Sequence, residues 1–314
     1  PKEPRMSDAV VERLALIGAG LIGSSIARAA REFNAARSIV IYDAAPDVRA
    51  RVREIGIADA VEDDIADAVK TADLVIICTP VGVCGEVAKQ IAPHLKPGAI
   101  ISDVGSVKGA VVAQVAPHLP AQVHFVPAHP IAGTEFSGPD AGFATLFCNR
   151  WCILTPPANA DADAVARLDA FWTQIGAKVE RMSPAHHDKV LALTSHLPHL
   201  IAYNIVGTAD DFGEQTRSEV IKFSASGFRD FTRIASSDPT MWRDIFLNNR
   251  EAVLEMLGRF NEDLSALQKM IRLNDGDALF EFFTRTRAIR RSIIEQGQDT
   301  SAPDFGRRDK EPKA

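Results

Sequence analysis

Gly18-Ala19-Gly20-Leu21-Ile22-Gly23 follows the apolar run Leu14–Ile17 and opens a stretch, Ile22–Phe33, with helical spacing of apolar residues. Gly18 permits a tight turn at the end of a strand. Gly20 lacks a Cβ, so a ligand can approach the backbone. Gly23 lets the helix pack closely on the strand. The helix that starts here, with Leu21 and Ile22 in its first turn, presents unpaired N–H groups and the positive end of its dipole to a phosphate. Glycine-rich turns are common; the placement between a strand and a helix gives this one its weight. The next apolar run, Ile39–Tyr42, leads into Asp43, 20 residues beyond Gly23. A carboxylate there accepts hydrogen bonds from ribose hydroxyls and repels a 2′-phosphate. These residues point to a dinucleotide cofactor, NAD in preference to NADP. Arg49, Arg51 and Arg53 read as a solvated helix surface.

Outward from this turn, short apolar runs alternate with helical patterns. The runs are Leu74–Cys78, Ile100–Asp103, His124–Val126 and Trp151–Leu154. Their nearly continuous hydrophobicity suits strands buried on both faces. Pro46–Ile55, Asp64–Val69, Val83–Leu95 and Val107–Val115 lie between them with helical spacing, so the first half reads as βαβ units in a doubly wound sheet. Thr79 and Pro80, at the end of the third run, are either neighbours of the adenosine or simply where the strand stops. From Pro184 on the pattern is helical: His187–Ala209, with Pro198 placed to kink it, then Arg217–Phe223, Pro239–Asn274 and Asp277–Gln296. Pro239–Asn274 carries more apolar positions than one face of a monomer needs, among them Leu254, Leu257 and Leu264. That excess fits a dimer interface or, alternatively, a buried central helix. The expected architecture is an α/β Rossmann-type dinucleotide-binding domain over 8–183, an all-α substrate and dimerisation domain over 184–296, and a polar, disordered tail over 297–314.

Composition narrows the function. The 314 residues carry a net charge of −6, which argues against a nucleic-acid partner. No run approaches the roughly 18 apolar residues of a membrane span, and the N-terminus lacks an apolar signal core. The four cysteines read as reduced thiols without a metal role. A cytoplasmic protein is expected.

Two segments at strand ends carry the candidate chemistry: Ser102-Asp103-Val104-Gly105-Ser106-Val107-Lys108 and His129-Pro130-Ile131-Ala132-Gly133-Thr134-Glu135. His129, flanked by Pro and a Gly-containing turn, reads as a loop histidine on the cofactor side. It is a candidate base for alcohol oxidation, or else it only ties down its loop. Ser106 is placed to bond His129, to bond a substrate hydroxyl or to cap a helix. Lys108 suits a structural role. His196 and His199 have the spacing of one helix face, but no further ligands complete a metal site. Arg229 and Arg233 suit bidentate carboxylate binding, or surface pairing with Asp230 and Asp238.

GAGLIGSS, DVGSVK, HPIAGTEFSG, TSHLPH and GFRDFTRIASSDPTMW, in this order, resemble the prephenate dehydrogenase family, which includes cyclohexadienyl and arogenate dehydrogenases. The resemblance covers about residues 12 to 290. It implies NAD-dependent oxidative decarboxylation of prephenate or arogenate in tyrosine biosynthesis, in a homodimer joined through the helical domain. It also implies that His129 deprotonates the ring hydroxyl with support from Ser106. His199 and Arg233 would hold carboxylates, while Glu135 and Trp242 shape the pocket with Thr134 and His196 beside them. Two other readings compete. A β-hydroxyacid dehydrogenase would carry a Lys where this chain has the histidines of TSHLPH. A non-catalytic NAD-binding regulator would lack the His and Arg constellation.

Overall fold

The computed structural model describes residues 8–134, 136–211, 219, 222–223 and 226–295. The tail over 297–314 and most of Arg217–Phe223 lie outside the described residues.

Six parallel strands form the main sheet: β1 (Val11–Ile17), β2 (Ala36–Tyr42), β3 (Ala60–Val61), β4 (Leu74–Ile77), β5 (Ile100–Asp103) and β6 (His124–Phe125), in the order β3-β2-β1-β4-β5-β6. Leu14, Leu16, Ile39, Ile41, Leu74 and Ile76 are buried to at least 99%. Each such side chain contributes roughly 1.5–3 kcal/mol of burial. Ile17 pairs in register with Ile77, and Ile77 with Asp103. The carboxyl ends of β1, β4 and β5 therefore share one edge, where open α/β sheets bind ligands. The order reverses between β1 and β4, so that edge is a topological switch point.

The helices are α1 (Leu21–Glu32), α2 (Pro46–Ile55), α3 (Ile65–Val69), α4 (Cys84–Ile91), α5 (Lys108–Val115) and α6 (Ala162–Gln174). Asp64 and Asp161 cap α3 and α6 by accepting from Ala66 N and Ala164 N. Trp151–Leu154 does not join the main sheet. It is β8, the middle of a second sheet between β7 (Ala128–Pro130, antiparallel) and β9 (Lys178–Arg181, parallel). β7 and β9 escape the sequence reading because one is three residues long with a proline and the other is mostly charged and exposed.

Beyond β9 come α7 (Pro184–Leu191), a π-type turn at Ala192–His196, and α8 (Leu197–Asp211). Pro198 has no N–H for the preceding turn, and a widened turn upstream absorbs that loss. After α9 (Ser226–Thr232), Pro239–Asn274 is two helices, α10 (Pro239–Asn248) and α11 (Arg250–Arg272). They are separated at Asn249, whose backbone leaves the helical region (φ −110°, ψ 31°). The last is α12 (Gly276–Glu295). Among the described residues no helix is long and apolar enough to cross a membrane.

The chain forms two compact units. One comprises the chain through Pro198 with Ser236–Val253; the other comprises His199–Ala235 and the chain from Leu254. In the first, Phe147, Phe171 and Trp172 pack edge to face within the core. In the second, α11 and α12 leave Leu264, Ile271, Phe280, Phe283 and Ile289 more than half exposed. Such an unburied apolar surface marks an interaction face.

Candidate active site

The glycine turn has the geometry of a phosphate cradle. Gly18 takes φ +106°, and a Cβ there would lie 2.7 Å from the Cys78 carbonyl oxygen. A Cβ on Gly23 would lie 2.1 Å from the Gly18 carbonyl oxygen, so α1 could not sit on this turn with any larger residue. A Cβ on Gly20 would meet nothing within 4 Å. That open face lies at the start of α1, whose first turn has neither a side-chain cap nor an acidic residue. These features fit a dinucleotide pyrophosphate, with Leu21 and Ile22 offering backbone N–H groups.

Asp43 accepts from Ala19 N (2.8 Å) through Oδ2 and from Ala45 N (2.9 Å) through Oδ1. It braces the glycine turn and keeps lone pairs for a ribose. Thr79 stands beside the turn, its Cγ2 3.4 Å from where a Gly18 Cβ would be, and Pro80 begins the short turn Val81–Val83. Arg49 departs from the expected solvated surface. Its guanidinium donates to the carbonyls of Asp43 (2.7 Å) and Ala44 (3.2 Å), pairs with Asp63 and lies over Tyr42. Arg51 bridges to Asp140 and Glu54, and Arg53 pairs with Asp63.

A polar network sits at the end of β5. Lys108, fully buried, donates to Asp103 Oδ2 and to the Ala128 carbonyl (2.6 Å). Asp103 also accepts from Gly105 N (2.8 Å) and Ala128 N (3.2 Å). The network thereby fixes the residue preceding His129. His129 is 9% exposed and lies on β7, opposite Ile153, and not in a loop as its flanking residues suggest. Three residues of antiparallel pairing are too short to show in the sequence. Its Nδ1 is 2.8 Å from His187 Nε2, and His187 Nδ1 is 2.8 Å from Asp188 Oδ1. Asp188 takes the amide N–H groups of Lys108 (2.7 Å) and Gly109 (2.8 Å) at the start of α5. Burial first, then the cost of placing a second positive charge beside His187 and near the Lys108 ammonium, holds the His129 pKa well below its ordinary value. Burial also lowers that of His187, against the opposing bond to Asp188. Burial acts to raise the Asp188 pKa, but hydrogen bonds from His187, Lys108 N and Gly109 N outweigh it and keep the carboxyl ionised.

Residues 26–181 match the family model described as prephenate dehydrogenase, nucleotide-binding domain, and residues 183–285 match prephenate dehydrogenase, dimerization domain. A cyclohexadienyl dehydrogenase from Zymomonas mobilis is 45% identical over 90% of this chain and 97% of its own length. The chain belongs to the prephenate dehydrogenase family. A Bacillus subtilis prephenate dehydrogenase is 34% identical, covering 89% of this chain and 75% of that protein. The crystal structure of prephenate dehydrogenase from A. aeolicus, in complex with hydroxyphenyl propionate and NAD+, superposes with a TM-score of 0.84 at 34% identity, covering 90% and 98% of the two chains. With family membership, the β-hydroxyacid and regulator readings give way to a dehydrogenase of tyrosine biosynthesis with a nucleotide-binding domain.

In this family member the residues expected at the site are distributed unevenly. His129, Lys108, His196 and Trp242 belong to the first compact unit, His199 and Arg233 to the second. Ser106 is half-buried between β5 and α5 and bonds no side chain among the described residues; His129 Nδ1 pairs with His187 Nε2 instead, and Ser106 does not cap α5. His196 is fully buried, accepts from Asn249 Nδ2 (3.1 Å) and packs edge-on to Trp242, itself 6% exposed. Thr134 is exposed, its hydroxyl accepting from Phe136 N (3.2 Å). Glu135 lies outside the described residues. His199 is half-buried and Arg233 is exposed at the start of the turn Arg233–Ser236. No group of three or more His, Cys, Asp or Glu suited to a metal occurs among the described residues.

Sequence reading missed His187, Asp188 and Asn249. A signal for the first two was present: His187 precedes Leu191 by four residues and shares the buried face of α7 with it, and Asp188, half-buried, follows directly. For Asn249 there was none, because its inward turn depends on the helix break.

Proposed function

We propose that this chain catalyses the NAD+-dependent oxidative decarboxylation of prephenate, of arogenate or of both, acting as a cytoplasmic homodimer. The cofactor domain would span 8–183 and the substrate and dimer domain 184–296. The observation that carries the reading is His129. It is nearly buried beside the ligand edge of the sheet, is kept neutral by its surroundings and has one ring nitrogen already engaged. The glycine cradle on the same edge supports the cofactor assignment, and Asp43 supports NAD over NADP. The exposed apolar residues of α11 and α12 support the dimer, and four free thiols support a reducing compartment.

Bound NAD+ supplies the hydride acceptor. The chain's part is to orient the ring and handle one proton. His129 Nε2 takes the hydroxyl proton while the hydride leaves the same ring carbon. The ring carboxylate then departs as CO₂, its bonding electrons aromatise the ring, and the proton returns from His129 to the ring oxygen. No net proton is released, and aromatisation drives the step. Ser106 would support the hydroxyl. By the family resemblance Arg233 and His199 would hold the substrate carboxylates, and Glu135 and Thr134 would shape the pocket.

The test is NADH formation by purified protein offered prephenate or arogenate with NAD+ or NADP+. Turnover with NAD+ on prephenate, weaker with NADP+, is expected. A folded protein that binds NAD+ yet turns over neither substrate would overturn the reading.

A further inference from the structure

One acceptor that cannot donate fixes the protons of two imidazoles. The ionised Asp188 carboxylate accepts from Lys108 N, Gly109 N and His187 Nδ1. His187 therefore carries its proton on Nδ1. A neutral imidazole protonated there has a lone pair on Nε2, and that lone pair lies 2.8 Å from His129 Nδ1. His129 Nδ1 must then be the donor, and His129 Nε2 is left as the base nitrogen.

We propose that His187 and Asp188 are positioning residues for His129, selecting the tautomer whose Nε2 accepts the substrate proton and balancing the positive charge that arrives with it. This rests on the reading of His129 as the base. The chain is held from several elements. Asn249 Nδ2 donates to the Asp188 carbonyl (2.9 Å) as well as to His196. The N-terminus of α5 favours the Asp188 anion. A Cβ on Gly109 would come within 2.9 Å of Asp188 Oδ2, so glycine keeps room for the carboxylate. When Nε2 gains a proton, the Nδ1–H···Nε2 bond to His187 strengthens and the charge is spread toward Asp188, with no further bond broken.

Three variants test this. In His187→Gln the amide still donates to Asp188 and accepts from His129, so kcat should fall by no more than about tenfold. His187→Leu can do neither, and kcat should fall by roughly 10³-fold or more, as for a histidine left in the wrong tautomer. In both, the substrate KM and the NAD+ affinity should stay within about threefold. Asp188→Asn presents a donor where only acceptors serve and should match His187→Leu. If that variant fails to fold for loss of the α5 cap, the two His187 variants, which leave the cap intact, decide. Rescue by Gln but not Leu, confined to kcat, is what a packing role cannot give. Equal losses in Gln and Leu, or wild-type kcat in both, would overturn the proposal. His129→Asn runs alongside. If it keeps turnover, the base reading itself has failed; if it is inactive while His187→Leu is not, only the positioning role is lost.

Discussion

Replacing Lys108 by Met removes one charge and nearly no volume, and its consequence can be worked from the contacts. Lys108 and Asp103 are both fully buried. Without the ammonium, Asp103 keeps only the N–H groups of Gly105 and Ala128, and the Ala128 carbonyl loses its 2.6 Å donor. An unpaired buried charge costs about 3–5 kcal/mol, and the orphaned carbonyl adds to it, so a loss of about 4 kcal/mol or more is expected. The protein's three tryptophans, Trp151, Trp172 and Trp242, all lie in the first compact unit, so their fluorescence in urea reports on that unit alone. At a slope of roughly 3 kcal/mol per molar, the midpoint should fall by more than about 1 M. Arg37→Met, which breaks the exposed Arg37–Glu12 pair, is the control and should shift nothing measurable. A Lys108→Met midpoint indistinguishable from that of Arg37→Met would refute the argument. Because Ala128 precedes His129, kcat should fall as well.

The glycines of the turn separate fold from function. Gly20→Ala meets open space and should leave the unfolding midpoint alone while weakening NAD+ binding by about tenfold or more; Gly23→Ala clashes with the Gly18 carbonyl and should destabilise the unit itself. His129→Asn should lower kcat by roughly 10²-fold or more, and unchanged turnover would remove it from the chemistry. A base works unprotonated, and the His129 pKa is lowered, so activity should be full above that lowered value and fall only as pH drops through it. The acid limb of kcat/KM should therefore lie below about 6.5, and a limb at or above that value would contradict the burial argument. The stability that His129 contributes has the same sign, full above about 6.5 and lost as pH falls, because the unfolded chain then binds the extra proton. Arg233→Ala should raise the substrate KM and spare NAD+ affinity, and a collapse of NAD+ binding would place Arg233 elsewhere.

What the sequence alone determined is short in range. The glycine turn, the buried strand runs and the helical stretches between them each depend on residues within a few positions of one another, where backbone sterics and local hydrogen bonds dominate. The same locality explains the failures. β7 has too few residues to show a pattern, and nothing within Pro239–Asn274 announces the break at Asn249. The tertiary structure alone decided which nitrogen of His129 is free. That depends on contacts spanning 58 residues, from His129 to His187, and 80 residues, from Asp188 back to Lys108. A histidine's chemistry is set by what its other nitrogen touches, and that partner is chosen by packing between distant segments, which no local pattern encodes.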